Sequence, residues 1–215
     1  MIAADRNSVA PGVAPGAEIL FLKVFQGGVA YTSDIIEAIA YAEAHGAKIV
    51  NCSWGTTAEN PALAEAILNS EMLFISAAGN RLQNNDNEPI YPASYGFTNT
   101  IAVASVNSNG KLSRFSNYGP TTVDVAAPGS DINVLTLDNS YTKNSGTSLA
   151  AAAVSGQAAL IMSIDNQLSA GEVKNIIIQS SSRVTGLNDK VNGGRLIDVY
   201  HAVSSPGHVN PTVLP

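Results

Sequence analysis

An α/β fold with a mostly parallel central sheet is what this sequence predicts. Short apolar runs of strand length alternate with stretches of helical periodicity, and each run ends in a small-residue loop. A long, almost uncharged run around residue 150 opens on a turn of small residues and reads as one buried helix. Strand–helix–strand units of this kind close with right-handed crossovers, which puts helices on both faces of the sheet in three layers.

Residues 1–18 are small, with Pro11, Gly12, Pro15 and Gly16 as turn formers. Residues 19–25 are nearly all apolar and are expected to form the first strand, ended by Gln26, Gly27 and Gly28. A helix is expected over 33–45. Ser33 or Asp34 would cap it, Ile35, Ile36, Ile39 and Ala40 make its apolar stripe, and Gly46 stops it. Residues 48–52 read as a second strand, ended by Ser53, Trp54 and Gly55. Pro61 starts a helix over 61–70 that turns Leu63, Ala66 and Ile67 inward. A third strand over 72–76 ends in Ala77, Ala78, Gly79 and Asn80. The stretch 81–99 is polar and loop-like, broken at Tyr91 and Pro92. Further strands follow at 100–104 and 123–126, with a turn-rich patch at 115–120 between them. After the long helix, helices near 169–179 and 195–203 complete a single domain over 1–203. The tail 204–215, with Pro206, Pro211 and Pro215, is expected to be loose.

The totals narrow the function. A chain of 215 residues with 45% hydrophobic and 13% charged residues fills a large core easily. A net charge of −6 and the lack of any basic cluster argue against nucleic acid and anionic membrane as partners. No stretch reads as a membrane span, and no signal peptide opens the chain. Cys52, the single cysteine, excludes an intrachain disulfide and a cysteine metal site, and its apolar setting suits a small buried hydrophobe.

In open α/β sheets ligands gather beyond the carboxyl ends of the strands. The loops carrying Gly27 and Gly28, Ser53 to Gly55, and Gly79 with Asn80 therefore share one rim. Ser148 lies in the first turn of the uncharged helix, where backbone N–H groups point outward and the helix dipole is positive. Such a place favours the oxyanion of an acyl-transfer intermediate. On Gly146-Thr147-Ser148 alone, a plain N-cap is the readier explanation of Ser148.

Taken together, the order of motifs resembles the subtilisin-type serine endopeptidases (peptidase S8). Gly12-Val13-Ala14-Pro15-Gly16-Ala17 resembles the entry to that family's first central strand, and Val50-Asn51-Cys52-Ser53-Trp54-Gly55 its substrate-lining strand and loop. Ser76-Ala77-Ala78-Gly79-Asn80 is similar to the oxyanion segment, and Tyr91-Pro92-Ala93 to the specificity-pocket segment. Phe115 to Gly119, Asp124 to Gly129, and Gly146-Thr147-Ser148-Leu149-Ala150 follow in the family's order up to its serine motif. The resemblance covers 1–203 and implies the three-layer subtilisin-like fold.

It also implies roles. Ser148 would be the acylated nucleophile, and Asn80 would donate its side-chain amide to the oxyanion beside the Ser148 N–H. Gln26, Gly27, Gly28 and Val29 on one side, and Ser53, Trp54 and Gly55 on the other, would pair with an extended polypeptide substrate. Ala78, Gly79, Tyr91, Pro92 and Ala93 would border the pocket for the residue before the scissile bond, with room for a large apolar side chain narrowed by Trp54. The Tyr91–Pro92 bond would be cis.

Departures from the family matter as much. None of the three histidines, His45, His201 and His208, lies in the family's His-Gly-Thr setting. Residues 1–4 resemble the end of the helix that starts at the catalytic histidine. The chain is thus expected to begin downstream of the triad His and Asp, and to need a missing N-terminal segment or a complementing chain as partner. Ala151-Ala152-Ala153 replaces the family's Ser-Pro-His. The family's calcium loop overlaps 5–11, where only Asn7 matches a ligand, so no metal and no required cofactor is assigned. In subtilisin, loss of the histidine costs about 2 × 10⁶ in kcat, so the chain alone is expected to be nearly inert. The resemblance implies an extracellular setting, which nothing in the residues themselves decides.

Two other readings remain at this point. One is a hydrolase with Ser148, Asp189 or Asp198, and His201 or His208 in Ser-Asp-His order. It lacks the apolar strand that should run straight into the serine turn, and Ala150 stands where a glycine is required. The other is a non-catalytic pseudoprotease that keeps the peptide groove, for which Gly27, Gly28, Ser53 and Gly55 suffice.

Overall fold

The computed structural model describes residues 1–204; residues 205–215, with His208 and all but the first residue of the expected tail, lie outside the described residues. In chain order the regular elements are α1 (Thr32–Ala44), β1 (Ile49–Cys52), α2 (Pro61–Leu68), β2 (Leu73–Ala77), β3 (Thr100–Val106) and β4 (Val125–Pro128). They continue with β5 (Ile132–Leu135), β6 (Tyr141–Asn144), α3 (Thr147–Ile164), α4 (Ala170–Ser180), β7 (Ser182–Arg183), β8 (Arg195–Leu196) and α5 (Val199–Ser204). The main sheet runs β1-β2-β3-β4-β8-β7, with every pairing parallel except the last. This is the expected α/β sandwich.

Alternation along β2 shows how the layers are filled. Leu73, Ile75 and Ala77 point to α3, α4 and α5, joined by Ile101, Val103, Val125 and Ala127 from the neighbouring strands. Phe74 points the other way, into a cluster with Ile35 and Ile39 of α1 and Leu63 and Ile67 of α2. Helix α3 is apolar nearly all round because it runs through the centre of one layer; Ala150, Ala151, Val154 and Ala158 are fully buried on the sheet. By length and composition alone α3 would also pass as a membrane span, contrary to the expectation that no stretch reaches that length. Here its apolar faces are taken up by strands and helices.

Three expectations need correction, and one pair of strands was not foreseen. Residues 19–25 form no strand: β1 ends the sheet on that side, so no neighbour completes a ladder for them. Leu22 and Val24 still pack towards α1, while Phe21 is 89% exposed. Neither Ser33 nor Asp34 caps α1; the cap position is Tyr31, and Ser33 Oγ turns to Asp34 Oδ1 at 3.1 Å. Ser148 is not an N-cap, because that position falls on Gly146, two residues earlier. Finally, the antiparallel pair β5–β6 stands outside the main sheet and was not expected; β6 is exposed throughout and β5 alternates only between half-buried and exposed, so no buried face marks them.

Candidate active site

β1 and β2 are parallel neighbours, so the loops that follow them emerge side by side at the sheet's carboxyl rim. The N-terminus of α3 arrives at the same rim and packs across both strands. Residues from all three segments line one cavity of about 460 Å³: Ser53 to Thr57, Gly79 to Arg81, and Thr147 with Ser148, over a floor of Ala77 and Ile90.

Ser148, the second residue of α3, is held by a reciprocal pair of bonds. Its hydroxyl donates to the Ser53 carbonyl at 3.2 Å, and the Ser53 hydroxyl donates to the Ser148 carbonyl at 3.2 Å. Asn51 Nδ2 supports Ser53 Oγ at 2.8 Å, while Ser155 of α3 donates to Asn51 Oδ1 at 3.0 Å. The β1 loop is thereby tied to two turns of the serine helix. A carbonyl oxygen accepts a hydrogen bond but cannot act as a general base, and among the described residues no His, Asp or Glu lines the cavity.

Thr147 sets the orientation of Asn80. Its backbone N–H and its hydroxyl both donate to Asn80 Oδ1, each at 2.9 Å, and its Oγ1 accepts from the Gly79 N–H at 3.2 Å. With Oδ1 doubly engaged, the Nδ2 end of the amide is the part left to donate. The Ser148 N–H, in the first turn of a helix, has no intrahelical acceptor. A methyl group built on Gly146 would lie 3.6 Å from Asn80 Nδ2 and 3.8 Å from the Ser148 nitrogen, so the two donors border one small space that Gly146 leaves open. Two N–H donors converging beside a serine hydroxyl are what an oxyanion requires.

The remaining expected site residues are spread more widely. Ser53, Trp54, Gly55 and Gly79 line the cavity with Ser148 and Asn80. Ala78 does not: strand alternation turns it into the core with Ala93, and Ala77 faces the cavity in its place. Tyr91, Pro92 and Ala93 are not among the lining residues, although their neighbour Ile90 is. The Tyr91–Pro92 bond is cis, and Tyr91 bridges to Thr56 through both backbone groups, at 2.8 and 2.9 Å. A Cβ on Gly55 would meet Ile90 Cγ2 at 2.6 Å, so any larger residue there would have to displace Ile90. Gly27, Gly28 and Val29 are outside the cavity lining; Gln26 and Val29 bond to each other across a tight turn with Gly27 and Gly28 at positive φ.

Among the described residues the Ser-Asp-His alternative is not assembled; His208 lies outside them. Gln157 of α3 donates to the Asp198 carbonyl at 3.3 Å, which sets Asp198 beside a residue roughly 13 Å along the helix from Ser148. Neither Asp198, Asp189 nor His201 lines the cavity. His45 stacks on Tyr41 at the end of α1. Within residues 5–11 the Asp5 Oδ1 accepts the Asn7 N–H at 2.7 Å, and no group of three or more His, Cys, Asp or Glu side chains gathers among the described residues. Cys52 is buried, and burial pushes its thiol up to about 12 despite a hydrogen bond with Ser76, which suits an inert core residue. Thr147, Asn117, Ile90 and Arg81 were missed in the sequence, although Thr147 and Arg81 directly flank the two residues singled out.

A serine in the first turn of a central helix and a side-chain amide on a neighbouring loop thus line one cavity at the carboxyl rim of a parallel three-layer sheet. Residues 1–196 match the model of the subtilase family, Peptidase_S8, and the chain belongs to that family. It is 37% identical over 209 residues to the thermophilic serine proteinase of Bacillus sp. strain AK1, covering 94% of this chain and 50% of that protein. Thermitase of Thermoactinomyces vulgaris is 36% identical over 196 residues, with 89% of this chain and 67% of thermitase covered. A solved structure describing the structural basis of subtilase cytotoxin SubAB assembly superposes with a TM-score of 0.83 at 27% identity, covering 94% of this chain and 73% of that one. The chain thus spans about half the length of the first of these relatives.

Proposed function

We propose that this chain carries the nucleophile and oxyanion site of a serine endopeptidase. The observation that carries the reading is the clamped Asn80 amide, whose Oδ1 is held by Thr147 while its Nδ2 is left to donate beside Ser148. In the reaction Ser148 Oγ adds to the scissile carbonyl and its proton passes to a histidine base. The carbonyl oxygen, now negative, is received by Asn80 Nδ2 and the Ser148 N–H. The histidine returns the proton to the leaving amine, and water then hydrolyses the acyl-enzyme by the same steps. Ser53 to Gly55 hold the polypeptide substrate as a neighbouring strand, and the floor of Ala77, Gly79 and Ile90 takes an apolar side chain.

The histidine and its aspartate come, on this reading, from a segment upstream of residue 1 or from a complementing chain. Support lies in the unpaired edge of β1, the exposed apolar residues of 19–25, and the absence of a base among the cavity-lining residues. That last observation equally favours a second reading, in which the chain binds extended peptides without cleaving them.

The test is hydrolysis of a fluorogenic peptide by the protein isolated from its source, together with its intact mass. Cleavage abolished by Ser148→Ala, by a species above 22.2 kDa or by a complex, supports the peptidase. Peptide binding that survives Ser148→Ala, with no turnover in any form, establishes the binder instead.

A further inference from the structure

We infer that Asn117 is a positioning residue for catalysis: it fixes the backbone on both sides of Asn80 and so sets where the oxyanion donor points. The inference rests on the peptidase reading above. Thr147 holds the side chain of Asn80 but not its main chain. The two peptide groups flanking the Asn80 Cα are each bound to Asn117 instead. Asn117 N–H donates to the Gly79 carbonyl at 2.9 Å, and Asn117 Oδ1 accepts the Arg81 N–H at 2.8 Å. The same Oδ1 takes the Gln83 N–H at 3.2 Å, so the loop from Gly79 to Gln83 is wrapped around one side-chain amide.

Asn117 is itself locked. It is fully buried, and its Nδ2 donates to Asn85 Oδ1 at 3.0 Å. Asn85, also fully buried, donates to the Ala78 carbonyl at 2.9 Å, which anchors the pair to the end of β2. The chain of bonds allows only one orientation of the Asn117 amide, since a flip would face nitrogen to two N–H donors and oxygen to Asn85 Oδ1. Gly79 completes the fit: its φ is +115°, and a Cβ on it would lie 2.6 Å from Asn117 Nδ2. Only glycine lets the strand end turn this tightly around the asparagine. A displacement of about 1 Å at a catalytic group costs on the order of 10²-fold in rate, so loosening this loop acts on kcat rather than on substrate binding.

The experiment is Asn117→Ala in the peptide-cleaving form, alone and combined with Asn80→Ala. Asn117→Ala is expected to lower kcat about 10- to 100-fold with KM within about threefold. In the Asn80→Ala background the same change is expected to cost less than about threefold further, because the donor it positions is already gone. An unchanged kcat, or an equal loss in both backgrounds, would overturn the assignment and leave Asn117 a purely structural residue. If the parent cleaves no peptide, the peptidase reading fails separately. The positioning claim is then read from amide hydrogen exchange on this chain, where the Arg81 and Gln83 N–H groups exchange at least about tenfold faster in Asn117→Ala than in the parent; equal rates refute it. Should the alanine variant not fold, Asn117→Ser, which loses the amide but keeps the site polar, is read in the same way.

Discussion

Gly146 and Arg81 put the residue-scale account at risk most directly. Gly146 has φ 167°, extended backbone open to any residue, so Gly146→Ala brings no conformational strain. Its methyl group would instead fill the space between Asn80 Nδ2 and the Ser148 nitrogen. Peptidase assays should show kcat down by about 10²-fold, the cost of losing one oxyanion donor, with thermal stability little changed. Full activity would mean that the oxyanion binds elsewhere. Among the described residues Arg81 is the one charged residue lining the cavity. An exposed charge acting on a substrate side chain is worth about 1 kcal/mol. Arg81→Glu is therefore expected to move the ratio of kcat/KM for glutamate against lysine before the scissile bond by roughly tenfold or more towards lysine. Ser148 and Asn80 were legible in the sequence because each sits in a short local motif. Thr147 and Asn117 were not, since what they do depends on partners 67 and 36 residues away that only the fold brings near.

Among the elements, α3 is closely packed on the N-terminal loop. A Cβ on Gly156 would lie 2.5 Å from the Cβ of the partly buried Val13. Replacing a mid-helix glycine by alanine ordinarily gains up to about 1 kcal/mol of helix propensity. Overpacking costs about 1–3 kcal/mol, and here the clash is with a Cβ atom that cannot rotate away. Gly156→Ala should therefore lower Tm, and a rise would show that the segment around Val13 yields freely. α4 offers a simpler case. Ser169 and Glu172 form a capping box, with Glu172 Nα–H to Ser169 Oγ at 3.3 Å and Ser169 N–H to Glu172 Oε2 at 2.8 Å. The helices and central strands were readable because burial imposes a period of 3.6 or a continuous apolar run. Residues 19–25 carried the same signal yet form no strand, because a strand needs a neighbour as well as a composition.

The molecule as a whole combines a closed core with an unfinished side. Ile19, Leu20, Phe21, Phe25 and Tyr31 are all more than 40% exposed beside the unpaired edge of β1. An unpaired edge flanked by apolar side chains templates association. The isolated chain is expected to self-associate on sizing columns and to melt broadly; a sharp, cooperative transition of a monomer would contradict this. Acid should weaken it further. Burial raises the Asp86 carboxyl, but hydrogen bonds from Thr122 and Thr121 outweigh burial and hold it below the usual carboxylate range. A carboxylate depressed in the folded state contributes stability above its unfolded value, near pH 4, and loses that contribution as pH falls through the lower folded value. The Tm should therefore drop as pH falls below about 4, and Asp86→Asn should flatten that drop in calorimetry.

The central claim is that Ser148 is a nucleophile whose base comes from outside residues 1–215. Fluorophosphonate labelling, read by intact mass and peptide mapping, tests it in one measurement on two samples. The account predicts a single adduct on Ser148 in the protein isolated from its source, and labelling slower by several orders of magnitude in residues 1–215 alone. Equal rates in the two samples, or an adduct on any other residue, would contradict it.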